Sequence, residues 1–347
     1  RKFDSYVAKA AKITTYHEQL VHCADLLKQD RGGHKMITAG FSWLYTGLLR
    51  ETLEALPGLT LYATGDKAEF EEILDNLISD NQERLFHKTT QVEAPLRLAY
   101  ALDRYIEFGA DPKAVWKKYG TVIKGILESY LPGKRAEVAM QPNGLLWAQL
   151  DHWALSWMNT YVNGNPVTER AGYQVETNAL WFQSILFAVT MERKYSTSDS
   201  AFINEWSHIL DLVRANFQNT FWNARAGYLA DYVDNAGQRL EVRPNMLYAL
   251  VGEDIPVEPE VAQRVLQVID NELVTRRGIR TLSPRHPEYK GVYEGSQTDR
   301  DLAYYNGCCL PFLLGPYCEV CFKMKGPAFL NKAQWLVNGF YEDLNKH

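Results

Sequence analysis

Residues 144–182 read GLLWAQLDHWALSWMNTYVNGNPVTERAGYQVETNALWF. The spacing of Trp147, Trp153 and Trp157 predicts a helix over 147–161, which enters a Gly/Asn/Pro loop. Glu176 then opens a second helix over 176–193. On the first helix Asp151 falls one or two turns before Asn159, on nearly the same face. Aromatic faces beside carboxylates and amides suit sugar rings, which offer apolar C–H faces and hydroxyl edges. The same residues also suit an aromatic core under a surface loop.

Working outward, helical periodicity recurs along the chain. It predicts helices over 5–29, 43–56, 67–79, 93–108, 201–218, 244–252, 258–275, 303–323 and 330–344. Another starts at Asp111-Pro112, an N-cap acceptor followed by proline at the first helical position. Pro57-Gly58 reads as a stop. Strand signals are few: YLADYVD (228–234) predicts a short hairpin closed near Asn235-Ala236-Gly237. About twelve helices in one all-α domain over 1–347 can pair as six hairpins closed into an (α/α)6 toroid. A bundle or an open solenoid gives the same pattern. The long polar loops at 131–145, 162–175 and 276–302 are where function is expected on such a scaffold.

Bulk composition limits the function classes. The 347 residues are 46% hydrophobic and 23% charged with a net charge of -5. That is ordinary for a globular chain and provides no basic surface for nucleic acid. No apolar run approaches membrane-spanning length. No Gly-rich phosphate loop, HExxH pair or G-x-S-x-G elbow is present, so no cofactor is expected. Cys318-x-x-Cys321 has a zinc-ligand spacing without a second pair, and it also reads as apolar filler on a buried helix. Free cysteines lean cytoplasmic and a chain starting at Arg1 leans exported, so the compartment stays open.

Four segments together resemble the glucosidase domain of glycogen debranching enzymes, the amylo-α-1,6-glucosidase type. They are ITAGFSWLYTGLLRETLEALPGLTL (37–61), SWMNTYVNGNPVTERAGYQVETNALWF (156–182), FWNARAGYLADYVDNAGQRLEVRPNMLYAL (221–250) and GIRTLSPRHPEYKGVYEGSQTDRDLAYYNGCCLPFLLGP (278–316). Their order also agrees, over roughly residues 37–320. The resemblance implies an (α/α)6 barrel, inverting hydrolysis, and an oligosaccharide or polysaccharide substrate. The departures fall on positions that face the sugar in that family. Its Trp-Met-Asp is Trp157-Met158-Asn159 here, and its Gly-Arg-Asp is Leu49-Arg50-Glu51. Its Val-Asp-Ala is Val92-Glu93-Ala94, and its Tyr-His-Gln-Gly is Tyr304-Tyr305-Asn306-Gly307.

Inverting hydrolysis needs one protonated carboxyl group and one carboxylate that activates water. Asn159 stands where the resemblance places the acid, and an amide has no proton to give at useful pKa. Asp151 and Glu176 are the other candidates for that task. For the base the chain offers Glu294, Asp299 and Asp301. Asp299-Arg300-Asp301 also reads as an Arg–carboxylate clamp ordering its loop. Arg50 with Glu51, Glu93, Arg170, Arg243, Asn245 and Tyr305 are expected to bind hydroxyls or to hold neighbouring groups in place. Arg243-Pro244-Asn245 doubles as plain helix-capping chemistry. Trp43, Trp157 and Trp181 are the expected aromatic platforms, Trp181 with a strong core reading beside it. Three functions fit: a debranching-type glycoside hydrolase, a carbohydrate-binding protein that has lost turnover, and a six-hairpin enzyme acting on other sugars.

Overall fold

A computed structural model describes residues 15–40, 47–196 and 200–341. Among them the chain is mostly helical, with twelve α-helices and fourteen strands of two or three residues. The helices are α1 (Tyr16–Leu27), α2 (Leu49–Leu56), α3 (Lys67–Asp80), α4 (Gln82–Phe86), α5 (Arg97–Glu107), α6 (Pro112–Ser129), α7 (Val175–Tyr195), α8 (Ser200–Phe221), α9 (Pro259–Glu272), α10 (Gln297–Tyr304), α11 (Leu314–Lys325) and α12 (Leu330–Asn338). Capping matches the residues present. Thr15 and Glu18 form a capping box on α1, and Asp111 accepts from the amides of Lys113 and Ala114 at the start of α6.

Four expectations are corrected. Pro57-Gly58 does not stop α2. The chain continues as a π-helical turn over Pro57–Tyr62 with Pro57 at its first position. The carbonyl of Leu56 is then taken by the Thr60 hydroxyl at 2.6 Å, which satisfies an acceptor the widened turn exposes. The 244–252 segment is a 3-10 helix, Pro244–Leu250, rather than an α-helix. The 303–323 run is split into α10, a strand at Cys309–Leu310, a 3-10 turn and α11. Glycine explains the break: Gly307 sits at φ 145, where a Cβ would meet the backbone of Lys290.

The fourth correction concerns 147–161, which is not helical. Leu146–Ala148 pairs antiparallel with Val138–Met140, and Ala148 bridges to Gly172. Pro142-Asn143-Gly144 between the strands is a turn signature that outweighs the apolar spacing. Asp151 and Asn159 therefore share no helix face. Residues 161–166 form a second hairpin, closed by Asn163 (φ 51) and Gly164 (φ 79), the pairing expected of a two-residue turn. The predicted hairpin at 228–234 is present as Tyr232–Asp234 against Gly237–Arg239, with Tyr173–Gln174 as a third strand.

The layout follows from which helices touch. α2 packs on α5, α5 on α7, α7 on the 244–250 helix, and that helix on α11. A second layer covers these, with α3 against α2, α6 and α8 against α7, and α9 against the 244–250 helix. Glu319 of α11 also reaches Tyr100 and Arg104 of α5, and Gln183 of α7 donates to the carbonyl of Val251. No described helix is long and apolar enough to cross a membrane.

Candidate active site

Arg50, Arg97, Glu176 and Asn245 lie in the first turn of their elements, and Phe312 lies just before α11. Helix N-termini carry partial positive charge and unpaired N–H groups, so this end favours carboxylates. Glu51 and Glu176 occupy first turns accordingly.

One half of the site is a closed clamp around Arg170. The guanidinium of Arg170 donates to both oxygens of Glu176, at 2.5 and 2.7 Å, and to Asp231 Oδ2 at 2.7 Å. A further contact reaches the Ser156 hydroxyl at 3.3 Å. Asn245 donates to Asp231 Oδ1 at 2.7 Å and accepts from the Trp157 indole at 2.8 Å. Arg243 stands 3.8 Å from Asp231 and donates to the carbonyls of Thr281 and Tyr305. All of these side chains are buried. Arg170 holds φ 50, a backbone region uncommon for a residue with a Cβ, and the surrounding bonds keep it there. The clamp thereby ties loop 156–176 to the start of α7 and to the 228–234 hairpin.

The other half is different in kind. Arg50 donates to Glu51 Oε1 at 2.5 Å and to Glu54 Oε2 at 3.2 Å, with its guanidinium 5.6 Å from the centre of the Phe312 ring. Arg97 is 3.4 Å from Glu54 Oε1 and lies over the Tyr248 ring at 4.9 Å. Arg50 Nε, Glu51 Oε2, both oxygens of Glu93, and Arg97 Nε and Nη2 are buried with no hydrogen-bond partner. Burial pushes the Glu93 carboxyl up to about 7, against the pull of Arg97 and Arg50 and with the Glu176 charge adding to the rise. Arg97 stays firmly cationic: burial opposes its charge, and Glu54, Tyr248 and Glu93 outweigh that.

Asn159 borders both halves. Its Oδ1 accepts from the Tyr305 hydroxyl at 3.4 Å, and Tyr305 and Phe312 pack edge-on against Trp157. Burial raises the Tyr305 phenol, which stays protonated as a donor. Tyr304, next to Tyr305, is 38% exposed, and its ring lies 5.8 Å from that of the exposed Tyr293. Exposed aromatic surface here thus comes from Tyr293 and Tyr304. Trp157 and Trp181 are 1% and 0% exposed and offer no face to solvent. Trp43 lies outside the described residues.

Loops 156–176 and 276–307 therefore meet at Asn159 and Tyr305. The remaining candidate carboxylates stand apart from the buried groups. Asp151 is exposed in a turn. Asp299 is exposed, accepts from the amide and hydroxyl of Ser296 in a capping box, and is held below the usual carboxylate range by those bonds. Asp301 accepts from Gln297. Arg300 donates to the Gly295 carbonyl and to Gln297, so the hydrogen bonds of a carboxylate clamp are not made. Glu294 is exposed in the loop beside Tyr293. Sequence reasoning missed Glu54, Arg97 and Asp231. A charge at an apolar position of a helix stripe was the available signal for the first two; nothing in the sequence singles out Asp231. Among the described residues no group of three or more His, Cys, Asp or Glu could hold a metal ion.

Residues 21–347 match the amylo-alpha-1,6-glucosidase family, and the chain belongs to it. No curated protein matches the chain. Among solved structures it is similar to the GH63 mannosylglycerate hydrolase from Thermus thermophilus in complex with Tris, with 9% identity over 96% of this chain and 92% of that one and a TM-score of 0.62. It is also similar to a sialidase, with 13% identity over 94% of this chain and a TM-score of 0.62, and it spans 30% of that protein's length. It spans 39% of a rhamnosidase from Klebsiella oxytoca with rhamnose bound, at 11% identity, 74% coverage of this chain and a TM-score of 0.47. The fold is thus one shared with glycoside hydrolases, and the family is a glycoside hydrolase family.

Proposed function

We propose that this chain is a carbohydrate-active domain of the debranching type, an (α/α)6 toroid that takes the end of an α-linked glucan or a related oligosaccharide at the converging helix starts. The observation that carries this reading is the pair of unpartnered atoms on adjacent residues, Arg50 Nε and Glu51 Oε2. An N–H donor beside a carboxylate acceptor matches a neutral sugar hydroxyl, which both donates and accepts. Glu93 and Arg97 extend that polar floor, Tyr305 and Asn159 form its wall, and Tyr293 with Tyr304 offers aromatic faces at the rim. Arg170, Glu176, Arg243 and Asn245 act behind the site, holding it in shape. Glu294 is the candidate base for inverting hydrolysis, since Asp299 and Asp301 are engaged in helix-end bonding; Asp151 is given no role.

A second reading, a carbohydrate-binding protein with impaired turnover, is favoured by Asn159. A positioned general acid contributes about 10²–10⁴-fold in rate, and an amide cannot act as one. Calorimetry with maltose, isomaltose and longer glucans, paired with turnover of wild type and Asn159→Asp on an α-glucoside, tests both. A gain of about 10²-fold in the variant marks a glucosidase site lacking its acid. Fast wild-type turnover with no gain places the acid elsewhere. Binding without turnover in either form selects the second reading, and no binding to any glycan sinks both.

A further inference from the structure

Glu54 has no place in the sugar-facing set above, yet it joins three inner elements. One oxygen, Oε2, accepts from Arg50 one turn earlier on α2 at 3.2 Å. The other, Oε1, accepts from the Tyr248 hydroxyl of the 244–250 helix at 3.3 Å and lies 3.4 Å from Arg97 Nη1 of α5. An i,i+4 pair of this kind can form on an isolated helix, where it is weak. Here its acceptor is itself immobilised from two other elements, so the position of Arg50 is referred to the whole inner layer.

The geometry at Arg50 shows what this accomplishes. Nη2 is held by Glu51, Nη1 by Glu54, and the guanidinium lies against Phe312. A planar group fixed at two nitrogens and one face has one orientation left, and Nε is the donor without a partner. Without Glu54 the guanidinium keeps one anchor and the whole planar group can turn about the Cδ–Nε bond, so Nε–H no longer points in a fixed direction.

We propose that Glu54 is a positioning residue: it locks the Arg50 guanidinium so that its free N–H and the free oxygen of Glu51 are presented together to a sugar hydroxyl. The sugar part of this statement rests on the function proposed above; the locking does not. Removing Glu54 alone would leave Arg97 buried beside an uncompensated site, so the test pairs Glu54→Leu with Arg97→Met. Replacing both members of a buried pair by apolar groups preserves folding far better than removing one.

Two measurements are made on the wild type, on Arg97→Met alone and on the double variant, because Arg97 is itself part of the proposed floor. Nitrogen relaxation of the arginine Nε–H group reads reorientation of the Arg50 Nε–H about Cδ–Nε, with Arg170 as internal reference, and calorimetry with malto-oligosaccharides reads affinity. Relative to Arg97→Met alone, the double variant is expected to show at least a tenfold rise in Arg50 rotation with Arg170 unchanged, and at least a tenfold loss of affinity. Unchanged Arg50 rotation overturns the proposal, and so does faster rotation with undiminished affinity. If the wild type binds no glycan while Arg50 loosens in the variant, the locking role stands and the carbohydrate reading falls. Glu54→Asp, which keeps the charge, restores slow rotation in part; equal rotation in Glu54→Asp and the double variant speaks against the carboxylate as the lock.

Discussion

The Arg170 clamp and the Arg50–Arg97 floor are built from the same residue types a few side chains apart, and they differ in completeness. Around Arg170 the carboxylates of Glu176 and Asp231 are all engaged, and Asn245 and Trp157 extend the bonding outward. Around Arg50 and Arg97 six polar atoms are buried and unpartnered. A buried polar group without a partner is costly, so proteins retain such groups chiefly where a ligand or water completes them. On the proposed function, completeness separates scaffold from binding surface, where residue type alone does not.

The largest expected effect breaks the complete side. Arg170→Met leaves Glu176 buried with no cation on it and Asp231 with only Arg243 at 3.8 Å, and should cost about 3–5 kcal/mol of unfolding free energy in a denaturant titration. Arg97→Met should cost less than half of that, because two of its nitrogens make no hydrogen bond and Glu54 keeps Arg50 and Tyr248. Equal losses in the two variants would show that the contrast between the halves has no energetic meaning.

Next in size is a pH effect on the incomplete side. The Glu93 carboxyl rises from 4.5 to about 7 on folding, so between these values the folded chain holds a proton that the unfolded chain has released. Stability should fall as pH rises through that window, by on the order of 3 kcal/mol. Glu93→Gln should remove this slope and leave the variant the more stable form at pH 8. A wild-type stability that is flat from pH 5 to 8, or a variant with the same slope, would place the carboxyl in a more polar setting.

A smaller effect sharpens the contrast from outside both halves. Ser296→Ala removes the cap that Asp299 reciprocates and should cost about 1 kcal/mol, with glycan affinity unchanged. A loss of glycan binding in that variant would move Asp299 from helix capping to the sugar site.

Much of this is legible in the sequence. Period-3.6 spacing located the helices, and Asp111-Pro112 marked a start that the structure reproduces. The likeness of the four segments is matched by family membership over residues 21–347. The failures cluster where tertiary context competes with spacing. Residues 147–161 have helix-like aromatic spacing, yet the Pro142-Asn143-Gly144 turn and the pairing with 138–140 make them strand and loop. Pro57 reads as a stop, yet a π-helical turn accommodates it because the Thr60 hydroxyl takes up the exposed carbonyl.

What the sequence determined by itself is the periodic apolar pattern, the caps and the inventory of arginines and carboxylates, because these depend on residues within a few positions of one another. Tertiary structure alone decided which of those charges are paired. Arg170 meets Asp231 across 61 positions and Tyr248 meets Glu54 across 194. No local pattern encodes such partnerships. They exist only when separate elements are brought together in the fold, and the low-polarity interior then makes each met or unmet hydrogen bond count.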